Sequence, residues 1–193
     1  MSILKVKLIT DVSTELVSVA ELKTQLRIDV SDEDAYLPSL ITVAREYCEN
    51  FTGRTIGTKT LEGILDDFPC EGIYLLDSPV QSITSIKYID SDGDENTWDS
   101  NYYVSNLDII PERIYPAYGQ SWPAYTPYPT GSVRIRYQAG HTSSNLPEAI
   151  KQAILLVAGD LYENREATSE KKVYELPFAV KALLTPYKVR WFR

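Results

Sequence analysis

Apolar side chains recur at helical spacing, i, i+3, i+4 and i+7, in several stretches of the chain and predict amphipathic helices there. The first helix begins at Ser18, which forms a capping box with Glu21, and extends to about residue 26. A second helix is expected to be capped by Ser31 or Asp32 and to end at Gly53.

Prolines mark the other helix boundaries. Pro38 either starts the second helix proper or kinks it one turn in, because proline lacks the amide hydrogen of a helix interior. Pro147 suits a first helical position and predicts a third helix from there to about residue 166. A short final helix is expected between residues 176 and 186, ending before Pro186.

Between residues 58 and 137 the pattern changes to short β-branched and aromatic segments separated by Gly, Pro, Asn and Asp, which predicts strands. Asp90 to Asp94 is a turn, most simply that of a hairpin. The predicted strands are residues 60–65, 73–76, 83–89, 102–104, 109–114 and 133–137.

The order of helices, strands and helices predicts an α+β fold, a small helical bundle with an inserted antiparallel sheet or barrel-like subdomain. A chain of 193 residues suits one compact domain, or a core domain with one insertion. The expected parts are residues 1–57 (N-terminal helical part of the core), 58–144 (inserted β subdomain with a Tyr/Pro-rich loop), 145–186 (C-terminal helical part) and 187–193 (basic and aromatic tail).

Charge is distributed unevenly along the chain, whose formal net charge is −8. Residues 1–166 hold 13 basic and 25 acidic side chains, whereas residues 167–193 hold 6 basic and 2 acidic ones. An acidic body with a basic tail indicates two surfaces with different partners. It disfavours a broad nucleic-acid-binding surface, which needs clustered Lys and Arg.

The sequence predicts neither an enzyme nor a cofactor or metal site. Its single histidine, His141, has no nucleophile motif beside it, and no Gly-rich phosphate-binding motif occurs. Asp90 to Asp94 resembles the start of a calcium loop, but its glycine stands at the wrong loop position. The longest apolar run, residues 153–159, is far shorter than a membrane helix, so we expect no membrane partner.

Residues 115–129 contain five aromatic residues and four prolines, which allows two interpretations. They form either a rigid recognition loop or an ordered connection whose rings pack on the sheet, and both can hold together. A module that binds a protein or a glycan through this loop is therefore an alternative function. The candidate loop interface comprises Tyr118, Trp122, Tyr125 and Tyr128.

The last residues alternate aromatic and basic side chains and predict an intermolecular anchor. Trp, Tyr and Arg are enriched at interface hot spots, and a chain end is poorly placed for burial in its own core. A tail folded back onto its own domain is the alternative. The candidate interface comprises Lys181, Tyr187, Lys188, Arg190, Trp191, Phe192 and Arg193.

An ordered set of segments spans nearly the whole chain: residues 22–27, 32–34, 44–49, 52–56, 122–123, 133–140, 146–147, 150–166 and 183–187. In this order they resemble the head–tail connector (adaptor) proteins of long-tailed double-stranded DNA bacteriophages, in the longer subfamily with a β insertion.

This resemblance implies a non-enzymatic structural protein of the virion neck that assembles in the host bacterial cytoplasm. It implies a ring, typically of twelve subunits, beneath the portal protein, with DNA passing through the lumen. A tail-side stopper or tail completion protein would attach below, and residues 181–193 would hold the portal.

The charge pattern is compatible with such a ring. A ring needs heterologous contacts between unlike surfaces, which an acidic body and a basic tail provide. Because an acidic lumen would not retain the DNA that it transmits, we expect acidic residues of the body, rather than the tail arginines, to face the channel.

Overall fold

The structure, a computed structural model, describes residues 4–164 and 178–189. Within these ranges it contains four α-helices and eight β-strands, so the predicted α+β fold is confirmed. The helices are α1 (Val19–Leu26), α2 (Leu37–Thr52), α3 (Glu148–Glu163) and α4 (Phe178–Leu184). The strands are β1 (Lys5–Thr10), β2 (Lys59–Leu65), β3 (Ile73–Tyr74), β4 (Val80–Ile89), β5 (Glu95–Trp98), β6 (Tyr103–Asn106), β7 (Arg113–Pro116) and β8 (Val133–Ala139).

The strands form two antiparallel sheets rather than a barrel. The larger sheet has the strand order β1-β2-β8-β4-β5, and the smaller has the order β3-β7-β6. Neither sheet closes on itself within the described chain. The barrel-like form of the insertion is therefore corrected to two open sheets.

The chain divides into two compact units. The sheet unit comprises residues 1–12 and 58–141, and the helical unit comprises residues 13–57 and 142–193. The sequence interpretation assigned all of residues 1–57 to the helical part and missed β1, which pairs antiparallel with β2. This pairing carries the first residues into the sheet unit, because Lys5 lies opposite Ile64 and Lys7 opposite Glu62.

Helix α1 begins as its sequence predicts. The Ser18 hydroxyl accepts a hydrogen bond from the Glu21 amide at 3.2 Å, and the Glu21 carboxylate accepts one from the Ser18 amide at 2.8 Å. This reciprocal capping box satisfies two amides that the first turn of a helix leaves without main-chain acceptors. Leu22 is buried on the inner face of the helix.

Helix α2 begins later than predicted. Residues 31–36 form turns, and neither Ser31 nor Asp32 caps the helix, which follows Tyr36 without a side-chain cap. Pro38 lies in the first turn, where its missing amide hydrogen costs nothing, so the proline starts the helix. Gly53 ends it in the left-handed conformation, with φ of 67°, as predicted.

The helical unit has a core of aliphatic side chains from all four helices, with α2 and α3 contributing most. The guanidinium of Arg45 on α2 is 2% exposed. Its Nε lies 3.0 Å from Glu15 Oε2, and its Nη1 lies 2.9 Å from Glu49 Oε2. Two carboxylates therefore compensate the buried charge.

The sheet unit has a separate core on one face of the larger sheet. Alternate residues of β8, from Val133 to Ala139, are fully buried, whereas the residues between them are exposed. Ile86 of β4 and Ile114 of β7 belong to the same cluster, so both sheets contribute to this core.

Candidate interaction surfaces

Two of the four aromatic residues predicted to form a recognition loop pack on the sheet unit. The Trp122 ring stacks on Phe68, with centroids 4.9 Å apart. The Tyr125 ring lies 4.8 Å from Tyr88, and its hydroxyl lies 2.8 Å from Ser132 Oγ. Burial raises the pKa of Tyr125. For Trp122 and Tyr125, the contacts therefore agree with the interpretation in which the rings of this segment pack on the sheet.

The other two aromatic residues of this segment face solvent. Tyr118 is fully exposed, and Tyr128 is 44% exposed. The Tyr128 amide donates a hydrogen bond to the Ile89 carbonyl oxygen at 3.1 Å, and Pro127 forms a bridge with Asp90. The segment is thus fixed on the sheet unit while it presents Tyr118 outward.

The predicted C-terminal anchor begins on the helical unit. The Arg54 Nε donates a hydrogen bond to the Tyr187 carbonyl oxygen at 2.5 Å, and the Val189 amide donates one to the Thr52 carbonyl oxygen at 2.8 Å. The chain therefore folds back onto its own unit as far as Val189. Arg190, Trp191, Phe192 and Arg193 lie outside the described residues.

The face beside this anchor combines apolar and basic groups. Phe178 is 86% exposed at the start of α4, and Lys181 is half-buried one turn later. Lys188 is exposed, and its ammonium lies 5.2 Å from the Phe51 ring centroid. Phe178, Lys181 and Lys188 line one shallow depression, together with Ala182, Thr185 and Pro186.

The acidic turn of residues 90–94 is a hairpin turn between β4 and β5, as predicted. Asp90 Oδ1 accepts hydrogen bonds from the amides of Asp92 and Asp94, at 3.1 and 3.0 Å. Across the part of the chain that the structure describes, no group of three or more His, Cys, Asp or Glu is arranged to hold a metal ion. None of the described helices is long and apolar enough to cross a membrane.

The sequence interpretation missed a basic face on the larger sheet, opposite the sheet-unit core. Alternation of Arg134 and Arg136 with buried residues in β8 could have revealed it, but strand β1, which supplies Lys5 and Lys7 to this face, was not predicted. A hydrogen bond from Lys87 lowers the pKa of Glu95 on this face, and nearby Arg134 and Arg136 contribute to the shift. The basic face comprises Lys5, Lys7, Lys87, Arg134 and Arg136.

A known protein family matches most of the chain. A family model described as head completion protein matches residues 15–175. No curated protein matches the chain.

Solved structures are similar over almost the whole chain. Subunits of the neck of an empty gene transfer agent (GTA) particle computed with C6 symmetry, and of the virion of a native GTA particle, each share 26% identity with a TM-score of 0.80. A subunit from the neck of a native GTA particle computed with C12 symmetry shares 26% identity with a TM-score of 0.78. Each match covers 97% of this chain and 97% of the other.

Proposed function

The chain belongs to the head completion protein family, and from this premise we propose that it is an adaptor in the neck of a tailed, phage-like particle. It forms a ring, most simply of twelve subunits, between the portal protein and a tail-side stopper or tail completion protein. Assembly takes place in the host bacterial cytoplasm. The observation that supports this proposal is the match, over 97% of both chains, to a subunit of a neck computed with C12 symmetry.

The ring transmits DNA without binding it tightly. Each copy carries a net charge of −8, so twelve copies surround the channel with a strongly negative total charge. Acidic side chains repel phosphates over about 8 Å at physiological salt. Acidic residues of the body face the lumen, because attraction at every subunit would retard DNA passage.

Portal binding is assigned to the surface that Phe178, Lys181 and Lys188 form, together with the last residues of the chain. Phe178 is almost fully exposed, and Lys181 and Lys188 add positive charge around it. An exposed aromatic ring surrounded by basic groups is typical of a protein interface. Tyr187 is held on the helical unit by Arg54, and the remaining candidates follow it in the sequence: Arg190, Trp191, Phe192 and Arg193.

A second contact surface is assigned to the Tyr/Pro-rich segment. Tyr118 and Tyr128 are exposed there, whereas Trp122 and Tyr125 pack on the sheet unit and fix the segment. A rigid segment loses little conformational entropy when a partner binds. Tyr118 and Tyr128 therefore serve as contacts to a neighbouring neck component.

Light scattering coupled to size-exclusion chromatography tests the portal assignment. The chain is mixed with purified portal protein, and the double variant K181Q/K188Q is compared with K23Q/R27Q, which removes the same charge elsewhere on the helical unit. We expect co-elution of portal with the wild type and the K23Q/R27Q control, and loss of co-elution with K181Q/K188Q. Elution of the wild-type chain separately from the portal protein would contradict the proposed function.

A further inference from the structure

A row of basic side chains crosses the larger sheet on the face opposite its core. Lys5 lies opposite Ile64, Ile64 opposite Arg134, and Arg134 opposite Lys87. Thr97 follows on β5, so the row extends over all five strands, or about 19 Å at the usual strand separation. Three of its five members are cations, and none is a carboxylate.

Carboxylates of the same face neutralise part of the basic face. Arg136 Nη2 lies 2.8 Å from Glu62 Oε2, and Lys87 Nζ lies 2.5 Å from Glu95 Oε2. The remaining cations are exposed and lie beyond ion-pair distance of every carboxylate in the described chain, although Lys5 helps to lower the pKa of Asp66 and Arg134 that of Glu95. These three cations are Lys5, Lys7 and Arg134.

The charge of the basic face is opposite to that of the unit that carries it. The sheet unit has seven basic and thirteen acidic side chains, a net charge of −6. Five of the seven bases lie on this face, whereas of the thirteen acids Glu62 and Glu95 lie on it and Asp66 interacts with Lys5 at its end. The other surfaces of the unit are therefore strongly acidic.

The acidic turn is the complementary element. Asp92 and Asp94 are exposed, and their carboxylates have no hydrogen bond or ion pair among the residues that the structure describes. Their amides are held by Asp90, and the Asp90 amide donates to the Asp94 carbonyl oxygen at 3.2 Å. The turn is thus preorganised, which lowers the entropic cost of docking.

We propose that the basic face binds the acidic turn of a second copy of this chain. The inference rests on the proposed ring, in which one surface of each subunit meets a different surface of the next. Copies with a net charge of −8 repel one another, and a contact that brings opposite charges together locally offsets this repulsion. Each copy carries both elements, so the contact can be repeated from subunit to subunit.

The observations favour a protein partner over nucleic acid for this face. Glu62 and Glu95 pair with Arg136 and Lys87, so only three cations remain on the face for a partner, fewer than the clustered Lys and Arg that binding to a phosphate backbone needs. The net charge of −6 on the unit would also weaken attraction to a polyanion over long range. An acidic protein turn of three aspartates matches the three unpaired cations in charge.

Complementary charge reversals test this contact by sedimentation equilibrium at low ionic strength. Variant A is K7E/R134E, which makes the face acidic, and variant B is D92K/D94K, which makes the turn basic. We expect wild-type copies to associate, with affinity that falls as salt is added. We expect A alone and B alone to associate at least about tenfold more weakly.

An equimolar mixture of A and B should regain wild-type association. In the mixture, the acidic face of A meets the basic turn of B, and the unchanged face of B meets the unchanged turn of A. Recovery in the mixture also shows that both variants are folded.

Three outcomes would overturn the inference. The first is wild-type chain that does not associate at low ionic strength. The second is variants that associate as tightly as the wild type, in which case another surface joins the copies and the adaptor function stands. The third is a loss of affinity for a labelled DNA duplex in variant A while the self-association of variant A equals that of the wild type. Portal co-elution is measured separately, so failure of this contact is distinguishable from failure of the proposed function.

Discussion

Arg54 donates a hydrogen bond from its Nε to the carbonyl oxygen of Tyr187, 133 positions later in the chain. This bond, at 2.5 Å, lies just beyond the end of α2 and fixes the chain after α4 on the helical unit. Together with the hydrogen bond from the Val189 amide to the Thr52 carbonyl oxygen, it holds residues 187–189 on their own unit.

Two truncations should separate anchoring from portal binding. Deletion of residues 190–193 is expected to abolish portal co-elution and to change the melting temperature by no more than a few degrees. Deletion of residues 187–193 also removes the contacts with Arg54 and Thr52, so we expect it to lower the melting temperature measurably. Full portal binding by the shorter deletion would contradict the anchor assignment.

Arg45 should be among the most sensitive residues of the helical unit. Arg45→Ala leaves the carboxylates of Glu15 and Glu49 without their shared partner, and we expect a loss of about 3–5 kcal/mol in the free energy of unfolding. Lys23→Ala is the control, because its ion pair with Asp34 is exposed and is worth at most about 1 kcal/mol. Equal effects of the two substitutions in urea unfolding would show that the Arg45 network does not stabilise the fold.

The capping residue Glu21 predicts a dependence of stability on pH. Its pKa is lowered from 4.5 to about 2 by a hydrogen bond from Lys151 and by hydrogen bonds from the Ser18 amide and hydroxyl. A lowered folded-state pKa contributes stability above pH 4.5 that is lost as the pH falls toward 2. Because the Glu21 side chain is 39% exposed, solvent screening limits the contribution to about 1 kcal/mol.

Glu21→Gln should therefore reduce the stability difference between pH 6 and pH 2.5, measured by urea unfolding at each pH. Lys151→Met should have a similar effect, since it removes the largest cause of the pKa shift. A pH profile unchanged in both variants would contradict this prediction.

The two cysteines should differ sharply in reactivity. Cys48 is fully buried on α2, and burial raises the pKa of its thiol to about 12, so almost no thiolate forms at neutral pH. Cys70 is exposed. Labelling with a maleimide under native conditions is expected to modify Cys70 alone, whereas labelling in denaturant modifies both. Rapid native labelling of Cys48 would show that the helical core opens readily.

The Tyr/Pro-rich segment should contain both structural and exposed aromatic residues. Trp122→Ala removes the ring stacked on Phe68, and we expect it to destabilise the sheet unit by about 2–4 kcal/mol. Tyr118→Ala is expected to leave thermal stability unchanged, because that ring is fully exposed. A destabilising effect of Tyr118→Ala would contradict the exposed position of this ring.

The fold was predictable where local signals act alone. The capping box of Ser18 and Glu21 lies within four residues, and the left-handed glycine at position 53 needs no distant partner. Strand β1 could not be recognised in this way. Its residues are almost all exposed, and its position depends on pairing with β2, more than fifty residues later.

The residue types of the candidate surfaces could be predicted from the sequence, but not which of those residues are exposed. Trp122 and Tyr118 belong to the same Tyr/Pro-rich segment, yet one ring is packed and the other lies in solvent, because Phe68 is positioned by a different part of the chain. The basic face depends on the register among β1, β2, β8 and β4, which sequence spacing does not define. Tertiary pairing, rather than residue type, decides both features.

Electron microscopy of the purified chain mixed with portal protein tests the adaptor account most directly. The account predicts a ring of this chain, with twelve-fold symmetry, attached coaxially to one end of the portal. Portal particles without added density, together with unattached copies of the chain, would contradict it.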